Sequence, residues 1–320
     1  MSVRNSAFVQ EAKSGERVTR WFLAIPIFLV FFMVNLGAAL GLGTVWKVEP
    51  GSGWAQVQEG VTDLVPILLV FAWVALFERR RISSLGFRRP QRGVLTLLLG
   101  VVVGLAMISV PILILLAAGV YRGAMPPPGS SAGFSAVPIV LLLALTVIIQ
   151  GSNEEILVRG FLFQSLGLQM PGWLAVVIPT LLFTVVHGVA GAPITFTTIF
   201  FYGRFAILVA LERQSLWLIC GIHAGWNWAL GNIFGLAVSG LPPRANAVFF
   251  LEATPGQPDW LTGGAWGTEG SLVASLMIII ATVLVFTAWR RRDKAQPEIS
   301  TGQSSTSTAR TSPSAEATDA

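Results

Sequence analysis

The sequence predicts an all-α protein, a polytopic bundle of about eight transmembrane helices. Of its 320 residues 53% are hydrophobic and 12% are charged, against roughly 25% charged in a soluble domain. The mean hydropathy is +0.70. The apolar residues also fall into separate runs near the roughly 20 residues that cross a bilayer.

By that length, spans are expected at 21–43, 61–77, 93–120, 136–158, 173–190, 194–211, 216–238 and 271–289. The first run, Trp21 to Leu42, exceeds the roughly 7–15 residues of a secretory signal core. No small-residue cleavage site follows it, so it reads as a membrane helix. The loops then set an orientation. Arg4, Lys13, Arg17 and Arg20 precede the first span; Arg79, Arg80, Arg81, Arg88, Arg89 and Arg92 fill the second loop; Arg290, Arg291, Arg292 and Lys294 follow the last span. The alternate loops hold Lys47, Arg122 and Arg244. By the positive-inside rule both termini are expected in the cytoplasm, which an even number of spans requires. The cell membrane is the expected location.

The chain divides accordingly. A basic cytoplasmic N-terminus covers 1–20, the first helices and their loops 21–134, and the polar-bearing core 135–238. A long outer loop rich in Gly and Pro covers 239–270, with Trp260 and Trp266 suited to the headgroup region. The last span is 271–289, and the Ser/Thr/Ala-rich tail 290–320 is expected to be disordered. The net charge of +5 and pI of about 10.1 come from clusters flanking apolar runs, not from a nucleic-acid patch. The lone Cys220 excludes a disulfide framework and a thiolate metal cluster.

Polar residues inside apolar helices carry the functional signal, since a charge at mid-membrane costs about 2.5–3.5 kcal/mol on insertion scales. Asn153, Glu154, Glu155 and Arg159 follow one apolar run; His187 ends another; His223 and Asn227 lie in a third. Phe183 and His187 share a helical face at i,i+4, as do His223 and Asn227, and Glu155 with Arg159 is the favourable order for a helical ion pair. Glu154 is then about 100° around the helix and free to point elsewhere. A free carboxylate beside imidazoles is what a general base needs. A structural polar network holding helices together is the bland alternative. A non-catalytic scaffold or immunity protein and a proton-coupled transporter are the rival functions.

Three ordered motifs, Glu154-Glu155-x-x-x-Arg159, Phe183-x-x-x-His187 and His223-x-x-x-Asn227, resemble those of the CPBP family, the CAAX proteases and bacteriocin-processing enzymes. The resemblance covers about 135–235. It implies an intramembrane endopeptidase acting on a membrane-associated peptide or protein, such as a CAAX-prenylated or leader-bearing chain. By that resemblance Glu154, helped by His187, activates water, and His223 with Asn227 stabilises the oxyanion. Glu155 and Arg159 position Glu154. A metal-free glutamate mechanism fits these residues; zinc held by Glu154, His187 and His223 is the alternative. Other protease chemistries lack their residues: there is no His-Glu-x-x-His, no Gly-x-Ser-Gly, and no aspartate at the centre of an expected span.

Two features do not fit simply. His187 is expected about 14 residues into its span and His223 about 7, a depth difference of roughly 10 Å. Either 160–172 dips into the bilayer or a span begins deeper. Arg204, inside a span, either snorkels to the interface or serves Glu154, Glu155 or a substrate carboxylate.

Overall fold

The computed structural model describes residues 3–295; of the tail 290–320 expected to be disordered, 290–295 instead continue the last helix, and the rest lies outside the described residues. Eight apolar helices build the fold: α1 (Trp21–Val45), α2 (Gly53–Phe77), α3 (Pro90–Ala117), α4 (Gly133–Gln169), α5 (Gly172–Val186), α6 (Pro193–Arg213), α7 (Trp217–Trp228) and α8 (Leu272–Ala295). Six of them (α1, α2, α3, α4, α6 and α8) are long and apolar enough to cross a membrane. The chain is an all-α polytopic integral membrane protein. Helices α5 and α7, with 15 and 12 residues, are shorter than a full span, although α7 continues to Ile233 as a wide π-helical turn.

Burial sets the layers. In α6, 67% of the apolar window is buried, against 17–28% in the other five long helices, so α6 is the central axis and the others turn a broad apolar face outward.

Helix α2 begins eight residues before the expected 61–77. Gln56, Glu59 and Asp63 lower its hydropathy, yet each finds a partner inside the protein: Asn232, Arg244 and Asn153. Polar groups satisfied internally do not break a membrane helix.

Helix α7 seats on α3 through facing glycines. Gly100-x-x-x-Gly104 meets Gly221-x-x-x-Gly225, and a Cβ on Gly104 or Gly225 would run into the carbonyl oxygen of Ile222 or Val101. Small residues four apart let backbones approach closely. His223 and Asn227, each two residues on from one of those glycines, are about 200° around the helix. The glycine face anchors α7, and the opposite face carries the chemistry.

Helix α4 does not stop near 158. It runs to Gln169 through a π-helical stretch, Ile156–Phe163, buried throughout. Short helical turns of the N-terminal residues cover its far end: Arg4 Nε donates to Leu168 O at 2.7 Å, and Gln164 Nε2 to Phe8 O at 2.8 Å. Phe8 and Val9 are fully buried there.

This continuation removes the depth conflict. The chain descends from Glu155 to Gln169 and, after a turn at Met170 and Pro171, climbs from Gly172 to His187. The two arms are nearly equal, so His187 returns to the level of the glutamates. Residues 160–172 are therefore interior helix and a turn.

The segment 239–270 is more than a surface loop. Strand β1 (Tyr121–Gly123) pairs antiparallel with β2 (Leu251–Ala253), Tyr121 opposite Ala253. Trp260 is exposed, whereas Trp266 packs on the core beside Gly240. Arg80 is a correction to the loop charges: it is buried, paired with Glu78 at 2.6 Å.

Candidate active site

The seven motif residues converge between α4, α5, α6 and α7. Glu155 and Arg159 are fully buried one turn apart on α4, with Arg159 Nη1 at 3.1 Å from Glu155 Oε1. Arg159 Nη2 also donates to Gly203 O of α6 at 3.2 Å, and its guanidinium lies 4.4 Å over the Phe183 ring. Phe183 thus helps to hold the arginine.

Glu155 does more than fix Arg159. Its Oε1 is 2.8 Å from His223 Nδ1 on α7. An ionised carboxylate only accepts, so His223 Nδ1–H donates and Nε2 points into the site. On α5, His187 Nδ1 is 2.6 Å from Phe183 O. A carbonyl likewise only accepts, so His187 Nε2 is also free.

Both free nitrogens face one oxygen. Glu154 Oε2 lies 3.7 Å from His187 Nε2 and 3.8 Å from His223 Nε2, and makes no hydrogen bond of its own. With both imidazoles neutral, three acceptor atoms would converge with no donor between them. The arrangement needs a proton, a water molecule or a cation there. With His223 as imidazolium, the charges of Glu154, Glu155, Arg159 and His223 sum to zero, which suits an apolar surrounding.

Two cavities meet at this point. The larger, about 800 Å³, is lined by Glu154 and His187 together with apolar side chains from α1, α2, α4 and α5, among them Phe28, Phe32 and Leu157. The smaller, about 320 Å³, holds His223, Asn227, Tyr202 and Trp226. His187 and Phe183 line both. Asn227 is buried and its Nδ2 donates to Gln150 Oε1 at 3.3 Å.

Two carboxylates near the site escaped the sequence reading. Glu269, from the segment read as the outer loop, lines the smaller cavity and accepts from Trp226 Nε1 at 2.9 Å and Ser239 N at 2.6 Å. Asp63 lines the larger cavity. It lies ten residues beyond Gly53, mid-way along α2, which corrects the expectation that no span has a central aspartate. No second aspartate joins it in either cavity, so a two-aspartate mechanism still lacks its pair. A lone acidic residue in the run VTDLVPILLV was the available signal.

Other expectations resolve. Arg204 is half-buried over the Phe200 ring and forms no ion pair with Glu154 or Glu155. Cys220 is fully buried and lines neither cavity. Each imidazole has its Nδ1 held, His187 by Phe183 O and His223 by Glu155. Glu154, His187 and His223 have the donor atoms zinc takes. Among the described residues, however, no three His, Cys, Asp or Glu side chains are already drawn together as a metal cage.

Residues 136–229 match the family model described as type II CAAX prenyl endopeptidase Rce1-like. That stretch contains every motif residue. Over those residues the chain is similar to the CAAX-protease family. No curated protein and no solved structure matches the chain. The Rce1-like stretch begins with α4 and ends just beyond α7. Asp63, Ser239 and Glu269 are therefore contributed by the parts of the chain on either side of it.

Proposed function

We propose that the protein is an intramembrane endopeptidase that hydrolyses a peptide bond of a membrane-associated substrate, a CAAX-prenylated or leader-bearing chain being the kind the family implies. The observation that carries this reading is the single carboxylate oxygen, Glu154 Oε2, faced by the Nε2 atoms of His187 and His223 at 3.7 and 3.8 Å.

In this reading Glu154 is the general base. A water between Glu154 and His187 gives its proton to the carboxylate as its oxygen adds to the substrate carbonyl carbon. The carbonyl π electrons move to oxygen, and the oxyanion accepts from His223 Nε2–H and Asn227 Nδ2–H. Glu155, bonded to His223 Nδ1, keeps that imidazole protonated and oriented, and Arg159 holds Glu155. As the tetrahedral intermediate collapses, the C–N bond breaks and Glu154 returns its proton to the leaving amine. Donors preorganised in a dry site act far more strongly than in water. Should zinc bind, Glu154, His187 and His223 would hold it, and it would supply Lewis acidity toward the attacking water.

The mainly apolar cavity beside Glu154 suits an unfolded apolar stretch of substrate. The arginine clusters support cytoplasmic termini and residence in the cell membrane. The test is a proteomic comparison of membranes carrying the wild type or Glu154→Ala. A cleavage product present only with the wild type supports the reading, and identical profiles under conditions of verified expression refute it.

A further inference from the structure

Among the described residues, carboxylates within the bundle are held by arginines or by neutral donors. Glu78 pairs with Arg80 at 2.6 Å, Glu155 with Arg159 at 3.1 Å and Glu59 with Arg244 at 2.7 Å. Glu269 is held by Trp226 and Ser239. Glu154 faces the imidazoles of His187 and His223 at 3.7 and 3.8 Å. Asp63 has no cationic side chain beside it, although Glu59 one turn away has Arg244.

Asp63 is buried, and both hydrogen bonds it receives come from carboxamides: Asn35 Nδ2 at 3.3 Å and Asn153 Nδ2 at 3.1 Å, both to Oδ1. Among the described residues no donor reaches its Oδ2. Each asparagine, having turned its N–H toward Asp63, is left with its own oxygen unanswered. Asn35 Oδ1 and Asn153 Oδ1 are buried without a partner, and Asn153 is only 5% exposed. All three residues line the 800 Å³ cavity with Glu154, and no lysine or arginine lines it. An unsatisfied buried polar group costs about 1–3 kcal/mol, and more if it is charged. Water could supply donors there, but not the missing positive charge.

We propose that Asn35, Asp63 and Asn153 form a subsite for a lysine side chain of the substrate, an inference that rests on the peptidase reading above. An ammonium brings three N–H donors and no acceptor, and three oxygens on this wall await donors. Phe28, Phe32 and Pro66, which line the same cavity, take the aliphatic stem. Asn153 immediately precedes Glu154, so at about 3.3–3.6 Å per extended residue the lysine falls within about three residues of the scissile bond.

The test uses the full chain carrying Glu154→Gln, which the peptidase reading makes inactive, so that bound peptide is not consumed. The probes are fluorescein-labelled nonapeptides of alternating leucine and alanine, with one lysine moved from position to position. Each is compared with its norleucine twin by anisotropy in detergent. In at least one register the lysine peptide is expected to bind about 10-fold more tightly than its twin, a difference of about 1.4 kcal/mol. Adding Asp63→Asn should bring that ratio near one. Asn35→Leu, on another helix, should lower it several-fold and serves if the Asp63 variant does not purify. Equal affinities for the twins in every register overturn the subsite, as does a ratio that survives these substitutions. Asp63-dependent binding of calcium or zinc that displaces neither twin selectively marks an inorganic cation site and overturns it as well. If the ratio holds but the wild type cleaves nothing, the peptidase reading alone fails.

Discussion

Glu155 and His223 are 68 positions apart in the chain, yet Glu155 Oε1 and His223 Nδ1 are separated by 2.8 Å. The same oxygen accepts from Arg159 at 3.1 Å. One buried carboxylate therefore orients an imidazole on α7 and an arginine on its own helix. Glu154, the next residue back, is left to face both free Nε2 atoms.

The first prediction separates the two glutamates. Glu154→Ala and His187→Ala should abolish cleavage while the proteins still insert and purify as helical membrane proteins. Glu155→Gln should lower kcat by about 10²–10³ with KM little changed, because it weakens an oxyanion donor and not the base. Steady-state kinetics on the product found by proteomics measure this. Substantial activity in Glu154→Ala removes its assigned role.

His223→Ala and Asn227→Ala should each reduce kcat by about 10²–10³, the usual loss with one oxyanion donor. A rise in KM at unchanged kcat would make them substrate-binding residues instead.

Gly104→Leu tests the seat of α7. Its side chain would meet the Ile222 backbone, a carbonyl that cannot turn aside like a flexible side chain. Overpacking of this kind typically costs about 1–3 kcal/mol. The thermal midpoint in detergent should fall, and cleavage with it, although Gly104 lines neither cavity. Gly37→Leu, where a Cβ meets nothing within 4 Å, is the matched control and should leave both unchanged.

Orientation is tested in a Cys220→Ser background. Cysteine at Arg88 should be protected from an impermeant thiol reagent in intact cells, and cysteine at Pro127 should label. Both positions are exposed. The reverse pattern would invert the assignment and place 239–270 in the cytoplasm.

Metal dependence is tested by dialysis against a strong chelator, elemental analysis, and assay before and after adding zinc. The general-base reading expects full activity in verified metal-free protein. Loss of activity restored by stoichiometric zinc, with no binding to His187→Ala, would select the zinc reading.

Much of this was legible in the sequence because the relevant signals are local. Hydropathy marks a membrane helix wherever it falls, and i,i+4 spacing places Glu155 with Arg159, and His223 with Asn227, whatever the helices pack against. The ends of helices were less legible. The start of α2 was hidden by Gln56, Glu59 and Asp63, whose partners Asn232, Arg244 and Asn153 lie about 90 to 185 positions away. The extension of α4 was hidden because its polar residues Arg159 and Gln164 are satisfied by Gly203 and by Phe8 and Ser84.

The sequence by itself determined that this chain lives in a membrane as helices, and which side chains bear the CAAX-protease motifs. Only the tertiary structure decided what those side chains do to one another. Glu155 could be assigned to Arg159 from spacing, but not to His223, since nothing local says which face of α7 turns toward α4. That choice is made by Gly221 and Gly225 closing on α3. Nor could spacing show that a 14-residue descent and a 15-residue climb bring His187 level with Glu154. Asp63 reads as an isolated charge until Asn35 and Asn153 fold around it. A polar group in a bilayer is defined by its partner, and here the partners lie on other helices.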